Sequence, residues 1–335
     1  VRDLAVDRGL NRGVEFAFAE VRADRVERGV RAGRLGDGEV LVDHRLHRAL
    51  LDERPQVVAH RGDDRALAVG ALDGVPVFLH VDARVSEARY AELTDGLPQR
   101  VRTVPRFASE WATYQLVEAE LAGYRAALEH TDAEHVIMMT GADYPLVGVD
   151  RLTDRLSGLR GASWADVWRL PITFWGPMGG YDRFIFRNRV RNRKRVWSFM
   201  PRRWPRGVRP AGGSQLKILA RRHVERLLEL VDTRDDLVQY FHDVWIPDEV
   251  MLPSLLVSPA FGMDWETSHV RGGHAWHIDW GRQPSPHPRV LGLEDLPALH
   301  AARTRVTAPA LFARKFTEDS WPVLDRIERE LWRLP

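Results

Sequence analysis

The 335-residue chain has no cysteine, only three lysines and no long apolar run. The lack of cysteine excludes disulfide bonds, thiolate metal ligands and cysteine nucleophiles. No apolar stretch approaches the roughly 20 residues that a membrane-spanning helix needs, and the first residues lack the pattern of a signal peptide. These absences predict a cytoplasmic protein whose contact with a membrane would be peripheral.

A strong surplus of one charge is also lacking, because the formal net charge is +2. A hydrophobic content of 44% and a charged content of 29% are typical of a globular protein. The overall charge therefore does not point to nucleic acid. Arginine fills nearly every basic position, so a lysine that persists, such as Lys315, indicates a need for a compact ammonium group.

The first 53 residues lack proline, tryptophan, tyrosine, methionine and lysine, whereas all 20 prolines and 12 tryptophans follow them. No helical or strand period persists in this segment. We predict that residues 1–53 are a poorly ordered or spurious extension without chemistry. Residues 54–335 are long enough for one catalytic domain with a substantial core.

Apolar strands alternate with amphipathic helices from Gln56 onward. The predicted strands are 57–60, 75–82, 101–104, 136–140 and one that follows Gly212-Gly213, and the predicted helices are 63–72, 111–129, 220–231 and 321–332. The alternation predicts an α/β fold with a mostly parallel, Rossmann-type central sheet flanked by helices. Asp82 and Asp143 lie at the carboxyl ends of two strands, where each either contacts a ligand or caps a loop.

Two adjacent carboxylates, Asp248 and Glu249, stand between Pro247 and Pro253. Pro253 cannot donate a backbone N–H to the Glu249 carbonyl, so either a helix begins near Pro253 or a single turn ends there. Glu249 would then lie at the edge of an element, as candidate general bases often do. The structural alternative makes Asp248 a helix N-cap and Glu249 a partner of the helix dipole.

A basic run over 183–209 contains eleven arginine or lysine residues interleaved with aromatic side chains. This mixture suits nucleic acid, a polyanionic acceptor or a lipid surface, and equally a solvated loop over a cleft. No nucleic-acid-binding motif accompanies it, so nucleic acid is not favoured. Farther along, Trp276 and Trp280 either form a sugar-stacking platform or pack under a loop, and the nearby histidines match no standard metal-ligand spacing.

Several of these segments together resemble the core-2/I-branching β-1,6-N-acetylglucosaminyltransferase and peptide O-xylosyltransferase family. The matching motifs are His80-Val81-Asp82, Trp111–Val117, Thr140–Leu146, Gly213-Ser214-Gln215, Pro247-Asp248-Glu249, Ile278-Asp279-Trp280, His287-Pro288-Arg289 and Phe312–Phe316. Each motif alone is unspecific, but their order across residues 55–330 makes the resemblance strong. The chain departs from the family at Leu216, because the family usually has a tryptophan at this place after the Gly-Ser pair.

The resemblance implies a GT-A-type fold and an inverting transfer of GlcNAc or xylose from a UDP-sugar, without a metal or other cofactor. It implies that Glu249 is the catalytic base and that Arg289 and Lys315 neutralise the leaving diphosphate. The other donor-side residues that it implies are Val58, Ala59, His60, Asp82, Trp111 and Asp143, and the acceptor-side residues are Asp248 and Trp280. No Asp-x-Asp motif occurs in the catalytic span.

The partners expected from the resemblance are a nucleotide-sugar donor and a carbohydrate-type acceptor, which would be a glycan, a glycolipid or a natural product. A nucleic-acid partner is not expected, and 183–209 is the expected place of any peripheral membrane contact. A non-catalytic protein that binds a nucleotide sugar or a glycan is the alternative.

Overall fold

The computed structural model describes residues 17–21, 71–191, 194–198, 200–281 and 287–334. The strands are β1 (Ala17–Val21), β2 (Val77–Val81), β3 (Val101–Thr103), β4 (His135–Thr140), β5 (Asp143–Pro145), β6 (Trp164–Arg169), β7 (Asn188–Arg191), β8 (Lys194–Trp197), β9 (Ala211–Ala220), β10 (Trp276–Ile278) and β11 (Phe312–Arg314). The helices are α1 (Glu87–Thr94), α2 (Gln115–His130), α3 (Val149–Ser157), α4 (Tyr181–Ile185), α5 (Arg221–Thr233), α6 (Asp235–His242), α7 (Met251–Leu256), α8 (Leu296–Arg303) and α9 (Trp321–Arg326). The fold is therefore mixed α/β.

The largest sheet has six strands in the order β3-β2-β1-β4-β9-β6. The neighbours from β3 to β4 are parallel, whereas β9 is antiparallel to both β4 and β6. The sheet is thus mixed, and the prediction of a mostly parallel sheet is met only for the part from β3 to β4. Because β9 alone is reversed, its start lies beside the carboxyl ends of β4 and β6.

Strand β1 lies inside the segment that was predicted to be poorly ordered, and it pairs with both β2 and β4. At these five residues the structure differs from the prediction. The sequence Ala17–Val21 is mainly apolar, as a strand inside a sheet requires, although it is too short to establish a period. The rest of 1–53 and the predicted strand 57–60 lie outside the described residues.

The core lies on both faces of the large sheet. Phe78 and Met138 join the cluster under α2, α5 and α7, whereas their neighbours Leu79 and Ile137 join the cluster on the opposite face. This division follows from the alternation of side chains along a strand. All residues of β2 and β4 are buried, so these strands read as continuous apolar runs in the sequence. Each buried leucine-sized side chain stabilises the fold by about 1.5–3 kcal/mol.

A small three-stranded sheet, in the order β10-β11-β5, extends from the end of β4. It packs against α8 and α9 through a third apolar cluster that includes Tyr144, Phe316 and Leu324. The helix predicted over 321–332 is α9 followed by one turn of π-helix at Ile327–Leu331. None of the helices in the described ranges is long and apolar enough to cross a membrane.

Candidate active site

One edge of the large sheet carries two of the predicted site residues. Asp82 follows β2 and Asp143 follows β4, so both lie where parallel strands end. The reversed strand β9 brings Gly212 and Gly213 to the same edge, because these two residues pair with the carboxyl end of β6. The edge is therefore built from three strand ends and one strand start.

Glu249 ends a single 3₁₀ turn, Pro247–Glu249, and α7 begins at Met251. Pro253 lies in the first turn of α7, where a missing N–H costs nothing, so the predicted break is confirmed. Asp248 is buried within the turn and does not cap a helix, which makes the structural alternative for Asp248 wrong. Ile246, just before the turn, has φ = 52°, a strained value for a β-branched residue.

Arg183 holds the Glu249 carboxylate through an ion pair of 3.2 Å between Nη1 and Oε2. The side chain of Glu249 is 36% exposed and that of Arg183 is 12% exposed, so the carboxylate faces solvent while its partner is buried. Burial lowers the pKa of Arg183, and Glu249 acts in the opposite direction. The pair thus favours a charged, oriented carboxylate that a substrate can reach.

Trp175 makes a cation–π contact with Arg183, because the guanidinium carbon of Arg183 lies 3.5 Å from the centre of the Trp175 ring. Two glycines allow the indole to lie so close to the backbone. A Cβ on Gly212 would come within 1.9 Å of Trp175 Cη2, and one on Gly180 within 2.6 Å of Cε3. Gly212, Trp175, Arg183 and Glu249 therefore form a stack that fixes the position of the candidate base.

Asp82 is fully buried, and its partner is Arg84. The Asp82 carboxylate accepts hydrogen bonds from the Arg84 backbone N–H at 2.8 Å and from Nη2 at 2.7 Å. Burial acts to raise the pKa of Asp82, but the bonds from Arg84 outweigh it and the pKa lies below its ordinary value. Asp82 therefore caps its loop as an ion, and Arg84 is the more exposed member of the pair.

Two tryptophans connect the Asp82 loop with the Glu249 turn. Arg84 donates to the carbonyl of Ser109 at 3.0 Å, and Trp111 packs edge-on against Trp245 with ring centres 5.1 Å apart. Trp111 is 46% exposed, so it offers an aromatic surface beside Trp245, which precedes the Glu249 turn. The structure thus brings the predicted residues Asp82, Trp111 and Glu249 into one region.

Asp143 is also fully buried and closes the turn after β4. Its Oδ2 accepts a hydrogen bond of 2.6 Å from the Thr140 backbone N–H, and its Oδ1 lies 3.5 Å from Arg314 Nη1. This geometry is the loop-capping role considered for Asp143. The residue fixes β11, and with it the position of Lys315.

Arg289 and Lys315 lie side by side just beyond the end of β11. The Leu291 N–H donates to the Lys315 carbonyl at 2.9 Å, and the Lys315 N–H donates to the Arg289 carbonyl at 3.4 Å. The next residue, Phe316, is fully buried and donates its N–H to the Ala142 carbonyl at 2.9 Å. Lys315 is therefore anchored by its backbone, with a half-buried side chain.

The Arg289 guanidinium faces carboxylates. It donates to Asp279 Oδ2 through Nε at 3.0 Å and through Nη2 at 2.7 Å, and it also donates to Asp295. These bonds, that to Asp295 first, raise the pKa of Arg289 above its ordinary value. A guanidinium already bound to two carboxylates attracts a diphosphate less strongly than a guanidinium that has no carboxylate neighbours. Trp280, next to Asp279, is 54% exposed.

Val58, Ala59 and His60 lie outside the described residues. Within the described ranges, no group of three or more histidine, aspartate or glutamate side chains is arranged to hold a metal ion. The sequence did not reveal Arg183, Trp175 or Arg84 as site residues. The glycine pair at 212–213 was the available signal, because adjacent glycines at a strand start indicate a close approach of another group.

Comparison with known proteins gives one family match. The family model described as Core-2/I-Branching enzyme matches residues 77–300, more than half of the chain. No curated protein matches the sequence. Among solved structures, the crystal structure of HddC from Yersinia pseudotuberculosis aligns at 11% identity over 67% of this chain and 81% of that chain, with a TM-score of 0.29. A likeness at that score supports no conclusion about fold or function.

Proposed function

The chain belongs to the Core-2/I-Branching enzyme family, and on this premise we propose that it is an inverting, metal-independent glycosyltransferase with a GT-A-like fold. Membership of the family indicates a glycosyltransferase, which uses a nucleotide-sugar donor and a carbohydrate acceptor. The proposed donor is a UDP-sugar that carries GlcNAc or xylose. The proposed acceptor is a hydroxyl group of a glycan, a glycolipid or a natural product.

The observation that carries the proposal is the exposed, oriented carboxylate of Glu249. A general base must be ionised and must reach the acceptor hydroxyl. Arg183 favours the ionised form, and the 36% exposure of Glu249 gives a substrate access to it. Asp248, which the resemblance assigned to the acceptor side, is only 4% exposed, so we propose that it shapes the turn.

In the proposed step, Glu249 takes the proton of the acceptor hydroxyl as its oxygen attacks the anomeric carbon of the donor. A new glycosidic C–O bond forms while the bond from the anomeric carbon to the diphosphate oxygen breaks. The bonding pair leaves with UDP, and the configuration inverts. The proton resides on Glu249 until solvent removes it. The transition state is oxocarbenium-like, by analogy with glycoside hydrolysis.

The leaving diphosphate needs positive charge, which we propose that Lys315 supplies. Fixed cations stabilise charge as it develops without reorganisation. Arg289 is proposed to assist less, because its N–H groups already bind Asp279 and Asp295. We expect Lys315→Ala to weaken UDP binding by about tenfold or more, the scale of one lost charge-assisted hydrogen bond. We expect Arg289→Ala to weaken it less, measured by calorimetric titration with UDP.

The central experiment is a screen of UDP-sugars for binding and slow hydrolysis, with and without EDTA. One UDP-sugar should bind and release UDP equally well in both conditions. Complete loss of turnover with EDTA, restored by a divalent cation, would overturn metal independence. Binding without turnover, with every acceptor class tested, would favour the non-catalytic alternative.

The second experiment replaces the candidate base. Glu249→Gln should reduce transfer by about 10²–10⁴-fold, the usual contribution of a positioned base, while UDP binding stays near normal. The matched control is Glu266→Gln, which changes a surface glutamate that also pairs with an arginine, Arg169. Normal transfer by Glu249→Gln would remove Glu249 from the mechanism.

A further inference from the structure

The basic segment, residues 183–209, contains a β-hairpin with two different faces. β7 and β8 pair so that Val190 stands opposite Arg195 and Arg189 stands opposite Val196. Arg195 faces the molecule, where it donates to Asn188 at 2.6 Å and to Asp182 at 2.5 Å. Arg189 and Val196 belong to the other face and are both exposed.

The chain after the hairpin runs back along its base. The Ser198 N–H donates to the Arg187 carbonyl at 3.0 Å, and the Arg202 N–H donates to the Ile185 carbonyl at 2.7 Å. Met200 lies between these two bonds and is 81% exposed. The hairpin and the segment that follows it are thus one local unit, whose exposed side chains include Val196 and Met200.

The aspartate, glutamate, lysine and arginine content of this segment gives charge of one sign only. The basic segment has eleven arginine or lysine residues and no aspartate or glutamate. The whole chain has a net charge of only +2, so the remainder of the molecule is net negative. Arg187, Arg189, Arg203 and Arg206 are exposed in the described part of the segment. Positive charge is therefore concentrated in one segment of the chain.

The exposed apolar residues of the basic segment indicate which kind of polyanion it binds. Val196 is 52% exposed, Met200 81% and Trp204 37%, and Trp204 is stacked on Tyr181 with ring centres 6.3 Å apart. Proteins that bind single-stranded nucleic acid stack bases on open aromatic faces. Among the described side chains of this segment, the most exposed apolar ones are the non-aromatic Val196 and Met200, which suits insertion between lipid chains beneath anionic headgroups.

The same segment is attached to the candidate active site. Arg183 pairs with Glu249 at 3.2 Å, and the Arg195 guanidinium lies 5.2 Å from the centre of the Trp245 ring. A surface that contacts the outer face of the hairpin therefore lies next to the element that carries the candidate base.

We propose that the outer surface formed by Arg189, Val196, Met200, Arg203 and Trp204 docks on an anionic lipid surface. The arginines bind headgroup phosphates, and Val196 and Met200 enter the boundary of the acyl chains. On the basis of the proposed function, the acceptor hydroxyl belongs to a lipid-linked molecule. This molecule reaches Glu249 along the hairpin.

The test is co-sedimentation of the full chain with vesicles, with no donor present. Vesicles with about 30% phosphatidylglycerol in phosphatidylcholine should bind the chain, pure phosphatidylcholine should bind at least about tenfold less, and added salt should weaken binding. Arg189→Glu/Arg203→Glu should reduce binding at least about tenfold. Arg155→Glu/Arg333→Glu, the same charge change at exposed arginines elsewhere, should retain most of it.

Val196→Ser/Met200→Ser should reduce vesicle binding at unchanged charge, which separates insertion from electrostatic attraction. Equal binding by both arginine variants, or no binding to anionic vesicles, overturns the proposal. Binding of a single-stranded oligonucleotide in preference to vesicles also overturns it, in favour of a nucleic-acid partner. Turnover of UDP-sugar that persists without vesicle binding refutes only this inference, whereas vesicle binding without turnover refutes only the proposed function.

Discussion

Two of the cation–glutamate pairs among the described residues differ in their access to solvent. Lys217 Nζ lies 3.0 Å from Glu120 Oε1, and both side chains are fully buried. Arg183 lies 3.2 Å from Glu249, whose side chain is 36% exposed. The chemistry of the two pairs is nearly the same, so exposure decides their roles. The sealed pair is structural, and the open pair is available to a substrate.

The buried pair is surrounded by hydrogen bonds that an isolated buried charge would lack. The Tyr124 hydroxyl donates to Glu120 at 2.5 Å, and Lys217 donates to the Gln215 carbonyl at 2.9 Å. The pair joins α2 to β9 close to the site edge. A buried ion pair contributes little net stability, but removal of one partner is costly because the other charge remains unsolvated.

The largest expected effect separates the two glutamates. Glu249→Gln should lower the free energy of unfolding by only about 0.2–1 kcal/mol, the usual contribution of a solvent-accessible ion pair, because solvent reaches the Arg183–Glu249 pair. Glu120→Gln leaves the Lys217 charge buried without its carboxylate and should cost about 3–5 kcal/mol. Urea denaturation of both variants measures this difference. Equal losses of stability would contradict the division into a structural pair and a chemical pair.

The next effect tests whether the cost comes from the lone charge. Glu120→Gln/Lys217→Met removes both charges, and the amide oxygen introduced in place of the carboxylate would still accept the bond from Tyr124. The double variant should recover most of the roughly 3–5 kcal/mol lost by Glu120→Gln, because replacing a whole buried pair is often close to neutral. A double variant as unstable as the single one would show that packing around Lys217 matters more than its charge.

A smaller effect concerns the support of the open pair. Gly212→Ala places a Cβ 1.9 Å from Trp175, so Trp175 and Arg183 must move. We expect a loss of about 1–3 kcal/mol in stability, the usual cost of overpacking, with reduced kcat. Gly148→Ala is the matched control, since its Cβ meets Trp332 at an ordinary 3.8 Å. Adding Trp175→Ala to Gly212→Ala should restore stability but not kcat.

The smallest effect involves a third pair, in which His223 Nε2 lies 2.7 Å from Asp264 Oδ1. Burial lowers the pKa of His223 below its ordinary value, despite the opposing bond to Asp264. The unfolded chain therefore binds a proton near pH 6.5 that the folded chain accepts only at lower pH, so stability should fall as pH drops below about 6.5. Asp264, whose pKa is lowered to about 2, extends this loss below about pH 4. His223→Gln should remove the loss of stability between about pH 7 and about pH 5, measured by urea denaturation at these two pH values.

The sequence predicted the elements whose pattern is local. β2, β4, α2 and α5 have clear apolar runs or helical periods, and the break around Pro253 follows from the chemistry of proline. The direction of β9 was not predictable, because an apolar run has the same appearance in parallel and antiparallel strands. The strand at Ala17–Val21 was missed because five residues do not establish a period.

The site was predictable only in part for the same reason. Glu249, Lys315 and the strand-end aspartates are marked by motifs, but the partner of Glu249, Arg183, lies 66 positions away in the sequence. Arg183 and Trp175 lie in an irregular region without periodicity, and Lys217 meets Glu120 across 97 positions. Arg289 engages Asp279 and Asp295 across only ten and six positions, but these contacts depend on the path of the loops, which no periodic pattern records.

The reversal of β9 has a consequence for engineering this protein. Because β9 runs against its neighbours, the chain leaves the sheet at the end of β6 and re-enters it at Ala211, on the same edge. The segment between these points, residues 170–210, therefore starts and ends at the sheet edge that carries the candidate site. Replacing this segment by another that keeps Trp175 and Arg183 would change what approaches Glu249, while the strands of the large sheet keep their register.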